Sequence, residues 1–138
     1  MSEGFMIPSG LDTITEDRPV DPGMYKVEIR TWKPRKSRDG TRDGVEVGLA
    51  VMDKDDAGMF SEYIFSPKRG DEPRTVRMML QNMKRFTTAF GIAASVGEVV
   101  TADRAIGQQA VVPLDKEEYE RKDGSKAWRN TLKLPRFE

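Results

Sequence analysis

From Gly23 the chain alternates Tyr25, Val27 and Ile29 with Lys26, Glu28 and Arg30, the period of a strand with one wet and one buried face. Trp32 falls on the polar side of that strand. A second strand carries Val45, Val47, Leu49 and Val51 on one face and Glu46, Gly48, Ala50 and Met52 on the other, where the small residues leave room for a close approach. Asp53 to Gly58 has turn composition, and Phe60 to Ser66 forms a third strand that is apolar on both sides: Phe60 and Ile64 share one face, Tyr63 and Phe65 the other. Which pair meets the core stays open, because a one-residue slip in register exchanges the faces.

The period then changes. Val76, Met79, Leu80, Met83, Phe86 and Phe90 fall three or four apart, predicting a helix over Pro73 to Phe90 with a core-facing stripe; Pro73 suits its first turn and Gly91 the position after its end. Residues 92–100 show no clear period, and Thr101 to Ile106 reads as a capped helical turn closed by Gly107. Strand character returns over 108–114 and again over Asn130 to Leu134. Between these two strands, Lys116 to Arg129 reads as a connection with its turn at Asp123-Gly124. Three strands, a helix and two strands give a mainly β fold with one helix. The expected architecture is a five-stranded OB-fold, a Greek-key β-barrel with the helix between strands 3 and 4. The first 19 residues, with Pro8, Gly10 and Pro19 among scattered apolar positions, are expected to form an irregular arm, and residues 20–138 the domain.

Composition narrows the chemistry. The 138 residues contain neither cysteine nor histidine, so thiol nucleophiles, disulfides and imidazole bases are excluded. Lys plus Arg, 23, equals Asp plus Glu, 23, so attraction to a polyanion must come from uneven placement. The stretch from Lys33 to Gly44, read as a loop, holds Lys33, Arg35, Lys36, Arg38 and Arg42 against Asp39 and Asp43, whereas residues 1–17 hold Glu3, Asp12, Glu16 and Asp17 with no Lys or Arg. No run reaches the ~20 apolar residues of a bilayer span, and no signal peptide opens the chain; a cytoplasmic protein with no membrane partner is expected. Asp53, Asp55, Asp56 and Gly58 lack the loop pattern of a calcium site, and no carboxylate pair has two-metal spacing, so neither cofactor nor metal is expected.

Mobile cations beside aromatic faces suit an unpaired nucleic-acid strand: phosphates take the cations and bases stack on the rings. The candidate nucleic-acid site gathers Arg30, Trp32, Lys33, Arg35, Lys36, Arg38 and Arg42 around the first loop and Tyr63 and Phe65 on the third strand. Tyr119, Arg121, Lys126, Trp128 and Arg129 complete it around the last hairpin. Each has a plainer reading, as strand-end tryptophans that pack, a solvated charged hairpin, or rings covered by the arm or a partner.

Gly23-Met-Tyr-Lys-Val-Glu-Ile with Trp32, the Asp-Gly turn into Val45 to Val51 and the helix running into Ala89-Phe-Gly91 carry a resemblance, joined by Ile106-Gly107 and by Asp123-Gly124 followed by Asn130. Over about residues 20–135 the chain resembles the phage-encoded OB-fold single-stranded DNA-binding proteins. The resemblance implies a non-enzymatic protein that coats and protects single strands in phage replication or recombination, in the cytoplasm of an infected bacterium and beside replication or recombination proteins. Where many such binders carry an acidic tail, this sequence reads Leu134-Pro-Arg-Phe-Glu. The alternative is a protein–protein adaptor of a phage replisome or assembly that uses Trp32, Tyr63 and Phe65 as its patch. DNA and RNA are not distinguished by these residues, and edge strands of a small barrel leave homo-oligomers open.

Overall fold

A computed structural model describes residues 3–92 and 96–135. Five strands form one antiparallel sheet: β1 (Gly23–Lys36), β2 (Asp43–Val51), β3 (Phe60–Phe65), β4 (Gln109–Glu120) and β5 (Lys126–Leu132), in the order β3-β2-β1-β4-β5. The main helix, α1 (Pro73–Ala89), lies between β3 and β4, followed by the single turn α2 (Ala102–Ala105). The fold is thus mainly β with one principal helix. The sheet curls enough for its edges β3 and β5 to meet, but no backbone ladder joins them among the described residues; the Leu132 N–H donates instead to the Glu62 carboxylate at 2.8 Å.

The core occupies the concave face. Val27 and Ile29 from β1, Val47, Leu49 and Val51 from β2, Phe60 from β3 and Val112 and Leu114 from β4 are buried there, covered by Phe86 of α1, by Phe90 capping its end, and by Ile92 and Ala105. Burial of such side chains contributes about 1.5–3 kcal/mol each, enough to fix which face of every strand turns inward. The helix begins at Pro73, and Gly91 adopts a left-handed φ of 65° just past its end, where a side chain would be strained. Its stripe is core-facing only in part: Phe86 and Phe90 are buried, whereas Leu80 is 50% exposed. At α2 the Thr101 hydroxyl makes no capping hydrogen bond.

Both connections read as long loops are strand over at least half of their length. Lys33 to Lys36 belong to β1, paired as Lys33–Glu46, Pro34–Val45, Arg35–Gly44 and Lys36–Asp43, so the real loop is residues 37–42. Likewise β4 runs on to Glu120 and β5 starts at Lys126, leaving a turn around Asp123-Gly124. Each tip is tied by a carboxylate. Asp39 accepts from Ser37 Oγ (2.6 Å), Thr41 Oγ1 (2.8 Å) and Thr41 N (3.1 Å), and Asp123 accepts from Ser125 Oγ (2.6 Å) and N (2.8 Å). These bonds to the charged form hold both carboxyls below their usual range.

Of the arm, residues 3–18 are exposed, with a 3-10 turn at Leu11–Thr13. Its root is held at 18–20. Arg18 N donates to Asp56 O at 2.7 Å, Val20 N donates to Asn130 Oδ1 at 2.9 Å, and Asn130 Nδ2 returns bonds to the carbonyls of Val20 and Asp115. Asn130 is the buried polar residue of the core, and these three bonds satisfy its amide.

Candidate nucleic-acid interface

The register of β1 decides where the aromatic residues point. Ile29 faces Leu49, but Thr31 faces Gly48 and Trp32 faces Val47, so β1 carries one extra residue, a bulge at Arg30. The bulge reverses the alternation. Trp32 and Pro34 therefore continue the concave face of Val27 and Ile29, and the expectation that Trp32 lies on the polar side is overturned. Its ring is half-buried, packed against the core and tilted 42° to the Phe86 ring with centroids 6.4 Å apart.

The convex face is the opposite set. Across β3, β2 and β1 it presents Tyr63–Glu46–Lys33 and Phe65–Gly44–Arg35 as neighbouring rows. Tyr63 and Phe65 face away from the core, with ring planes 6° apart and centroids separated by 6.3 Å. Tyr63 is 55% exposed. Phe65 lies over Gly44, where a Cβ would overlap the ring; at Gly48 the approaching groups are Thr31 and Met59 of the same chain, which fill the room expected there for a ligand.

In the second hairpin the faces divide again. Tyr119 and Arg129 are on the convex side, with the Arg129 guanidinium 5.3 Å from the Tyr119 ring centre, whereas Trp128 and Lys126 lie on the concave side with Asn130 and Leu132. Trp128 is half-exposed, and the Lys116 ammonium stands 5.5 Å from its ring centre. The two tryptophans therefore do not share a face with Tyr63 and Phe65.

Most of the candidate cations are already matched. Arg30 pairs with Glu28 at 2.5 Å, Arg35 with Glu46 at 3.0 Å, Lys36 with Asp43 at 2.5 Å, Lys126 with Glu118 at 3.4 Å and Arg129 with Glu117 at 2.5 Å. Arg42 is committed to structure: its guanidinium grips Asp71 through two bonds of 2.6 and 2.9 Å and donates to Ser66 O at 3.1 Å. The hydrogen bonds from the Arg42 guanidinium and the Lys68 N–H hold the Asp71 carboxyl down at about 2. Lys33 and Arg38 make no ion pair among the described residues, and Arg121 lies exposed at the second tip near Asp123.

Two features were not found from sequence. Helix α1 carries Arg74, Arg77, Lys84 and Arg85 and no acidic residue, a signal present in the sequence but hidden behind its apolar stripe. Between α1 and the concave side of the β1–β2 hairpin opens a cleft of about 1230 Å³, walled by Trp32, Pro34, Val45, Ile64, Leu80 and Met83. Val45, Ile64, Leu80 and Met83 read singly as core, and Trp32 and Pro34 as the polar side and loop of the first hairpin, so nothing in the sequence brings the six together as a cleft wall. Among the described residues no helix is long and apolar enough to cross a membrane. In comparisons with known proteins, no family model and no curated sequence matches this chain.

Proposed function

We propose that the chain is a non-enzymatic, sequence-tolerant binder of single-stranded DNA, and that its curled sheet is a partly open OB-type barrel whose convex β1–β2–β3 face is the binding surface. The observation that carries this reading is the parallel pair Tyr63 and Phe65, displayed on the convex face beside the Lys33–Arg35 row. A parallel pair with Tyr63 exposed and Phe65 half-buried beside it offers a platform for bases of any identity, worth about 1–3 kcal/mol per stacked base. The strand order, with β3 and β5 meeting at the seam and the two hairpins flanking this face, is the order an OB barrel requires. Coating of single strands in phage replication or recombination is the role such a surface would serve.

Anisotropy of a labelled oligo-dT, titrated with the full chain at two salt concentrations beside a duplex control, tests the reading. Tighter binding of the single strand, weakening as salt rises, is the expected result. Equal binding of duplex and single strand at low salt would sink it.

A further inference from the structure

We propose that Arg38 and Arg69, on two turns clamped together, form a phosphate-binding edge that takes the backbone of the single strand as it leaves the Tyr63–Phe65 platform. The inference rests on the convex face being the single-strand surface, and it brings the β3–α1 loop into that surface.

The two loops are built alike. In loop 37–42 the Gly40 N–H donates to the Ser37 carbonyl at 2.8 Å, closing a turn with Arg38 at its second position. In loop 66–72 the Asp71 N–H donates to the Lys68 carbonyl at 3.2 Å, closing a turn with Arg69 at the same position. An ion pair joins them. Arg42 of the first loop holds Asp71 of the second through two hydrogen bonds and the Ser66 carbonyl through a third, with side chains only 16% and 7% exposed. The Lys68 ammonium adds a surface tie, donating to Thr41 Oγ1 at 2.8 Å. A bidentate guanidinium–carboxylate pair fixes orientation as well as distance, so the two turns keep one arrangement.

Their place in the fold puts them at the end of the platform. Phe65 pairs with Gly44 at the last rung between β3 and β2, and Arg35 and Lys36 pair with Gly44 and Asp43 at the last rungs between β1 and β2. Loop 66–72 therefore starts directly beyond Phe65, and loop 37–42 directly beyond the Lys33–Arg35 row.

Charge at this edge is favourable. Arg38 and Arg69 are exposed and make no ion pair among the described residues. Of the neighbouring acids, Asp43 and Asp71 are matched by Lys36 and Arg42, and Asp39 is held by Ser37 and Thr41 with the Lys68 charge acting on it. Glu72 remains, and Arg74, unpaired among the described residues, offsets it in the charge balance. Guanidinium groups match phosphate oxygens in geometry, and a phosphodiester recurs at every nucleotide, so the edge adds affinity without sequence preference.

Anisotropy of labelled oligo-dT with the full chain over a series of salt concentrations tests the edge. Each phosphate contact on a single strand contributes about 0.7 to the slope of log affinity against log salt, so Arg38→Ala/Arg69→Ala should lower the wild-type slope by about 1.4. Arg18→Ala/Lys54→Ala removes the same charge from exposed residues around the β2–β3 turn, at the opposite end of those strands, and should leave the slope unchanged. An unchanged slope in Arg38→Ala/Arg69→Ala, or an equal fall in the Arg18→Ala/Lys54→Ala control, would overturn the edge while the convex-face reading stands. A wild type that ignores oligo-dT removes that reading and the edge with it.

Discussion

Residues 33–42 of the β1–β2 hairpin and helix α1 carry five and four cations, but they differ in where the counter-charges come from. In the hairpin each strand supplies the other's counter-charge: Arg35 meets Glu46 and Lys36 meets Asp43, and Arg42 is spent on Asp71. Helix α1 carries Arg74, Arg77, Lys84 and Arg85 and no acidic residue of its own, so any counter-charge they meet comes from outside the helix. A count of charges along the chain favours the hairpin as the anion-binding element; pairing narrows its contribution between residues 33 and 42 to Lys33 and Arg38, which make no ion pair among the described residues. What a cation offers a ligand is set by its nearest counter-charge, because exposed pairs about 3 Å apart largely cancel one another's field at the distance of a phosphate.

The strongest way to break the contrast is to remove the group that joins the two regions. Phe86 of the helix packs between Trp32 of the hairpin and Phe90 at the helix cap, and Phe86→Ala is expected to cost about 3–5 kcal/mol of stability, read as a shift in urea midpoint. A midpoint within error of wild type would mean the hairpin and helix do not share a core. Next, Tyr63→Ala should lower oligo-dT affinity by about 1–3 kcal/mol with stability nearly unchanged, because the ring is on the convex face, away from the core.

Acid should loosen the same junction. The Asp71 pKa is lowered from 3.8 to about 2, so its tie to Arg42 contributes fully above its unfolded value near 3.8 and is lost as pH falls toward 2. Asp71→Asn should flatten that part of the stability profile, measured by thermal melts between pH 5 and 2; an unchanged slope would remove Asp71 from the account. The smallest effect sharpens the pairing argument. Lys33→Ala should reduce the slope of log affinity against log salt by about 0.7, whereas the double change Lys36→Ala/Asp43→Asn, which deletes a matched pair, should leave it unchanged.

Much of the fold was legible where burial dictates the pattern. The alternation of Val27 and Ile29, the valine face of β2 and the helical stripe ending in Phe86 and Phe90 all lie against the core, which imposes its period on the sequence. Legibility failed where the core ends. The outer halves of both hairpins are held by backbone ladders and cross-strand ion pairs such as Arg129–Glu117 and Lys126–Glu118, which need no apolar alternation and so look like loops. At Arg30 a single extra residue turned Trp32 inward, and no local composition announces such a bulge. Half of the candidate site was therefore visible as residue types but divided between two faces, with Tyr63 and Phe65 on one and Trp32 and Trp128 on the other.

Ultraviolet cross-linking of oligo-dT to the full chain, with the adducts mapped by mass spectrometry, tests the central claim most directly. Adducts at Tyr63 and Phe65, with Lys33 peptides among them, are the result expected for a strand lying across the convex face. Adducts confined to Trp32 and the Leu80–Met83 turn of α1 would put the strand in the cleft and contradict the account.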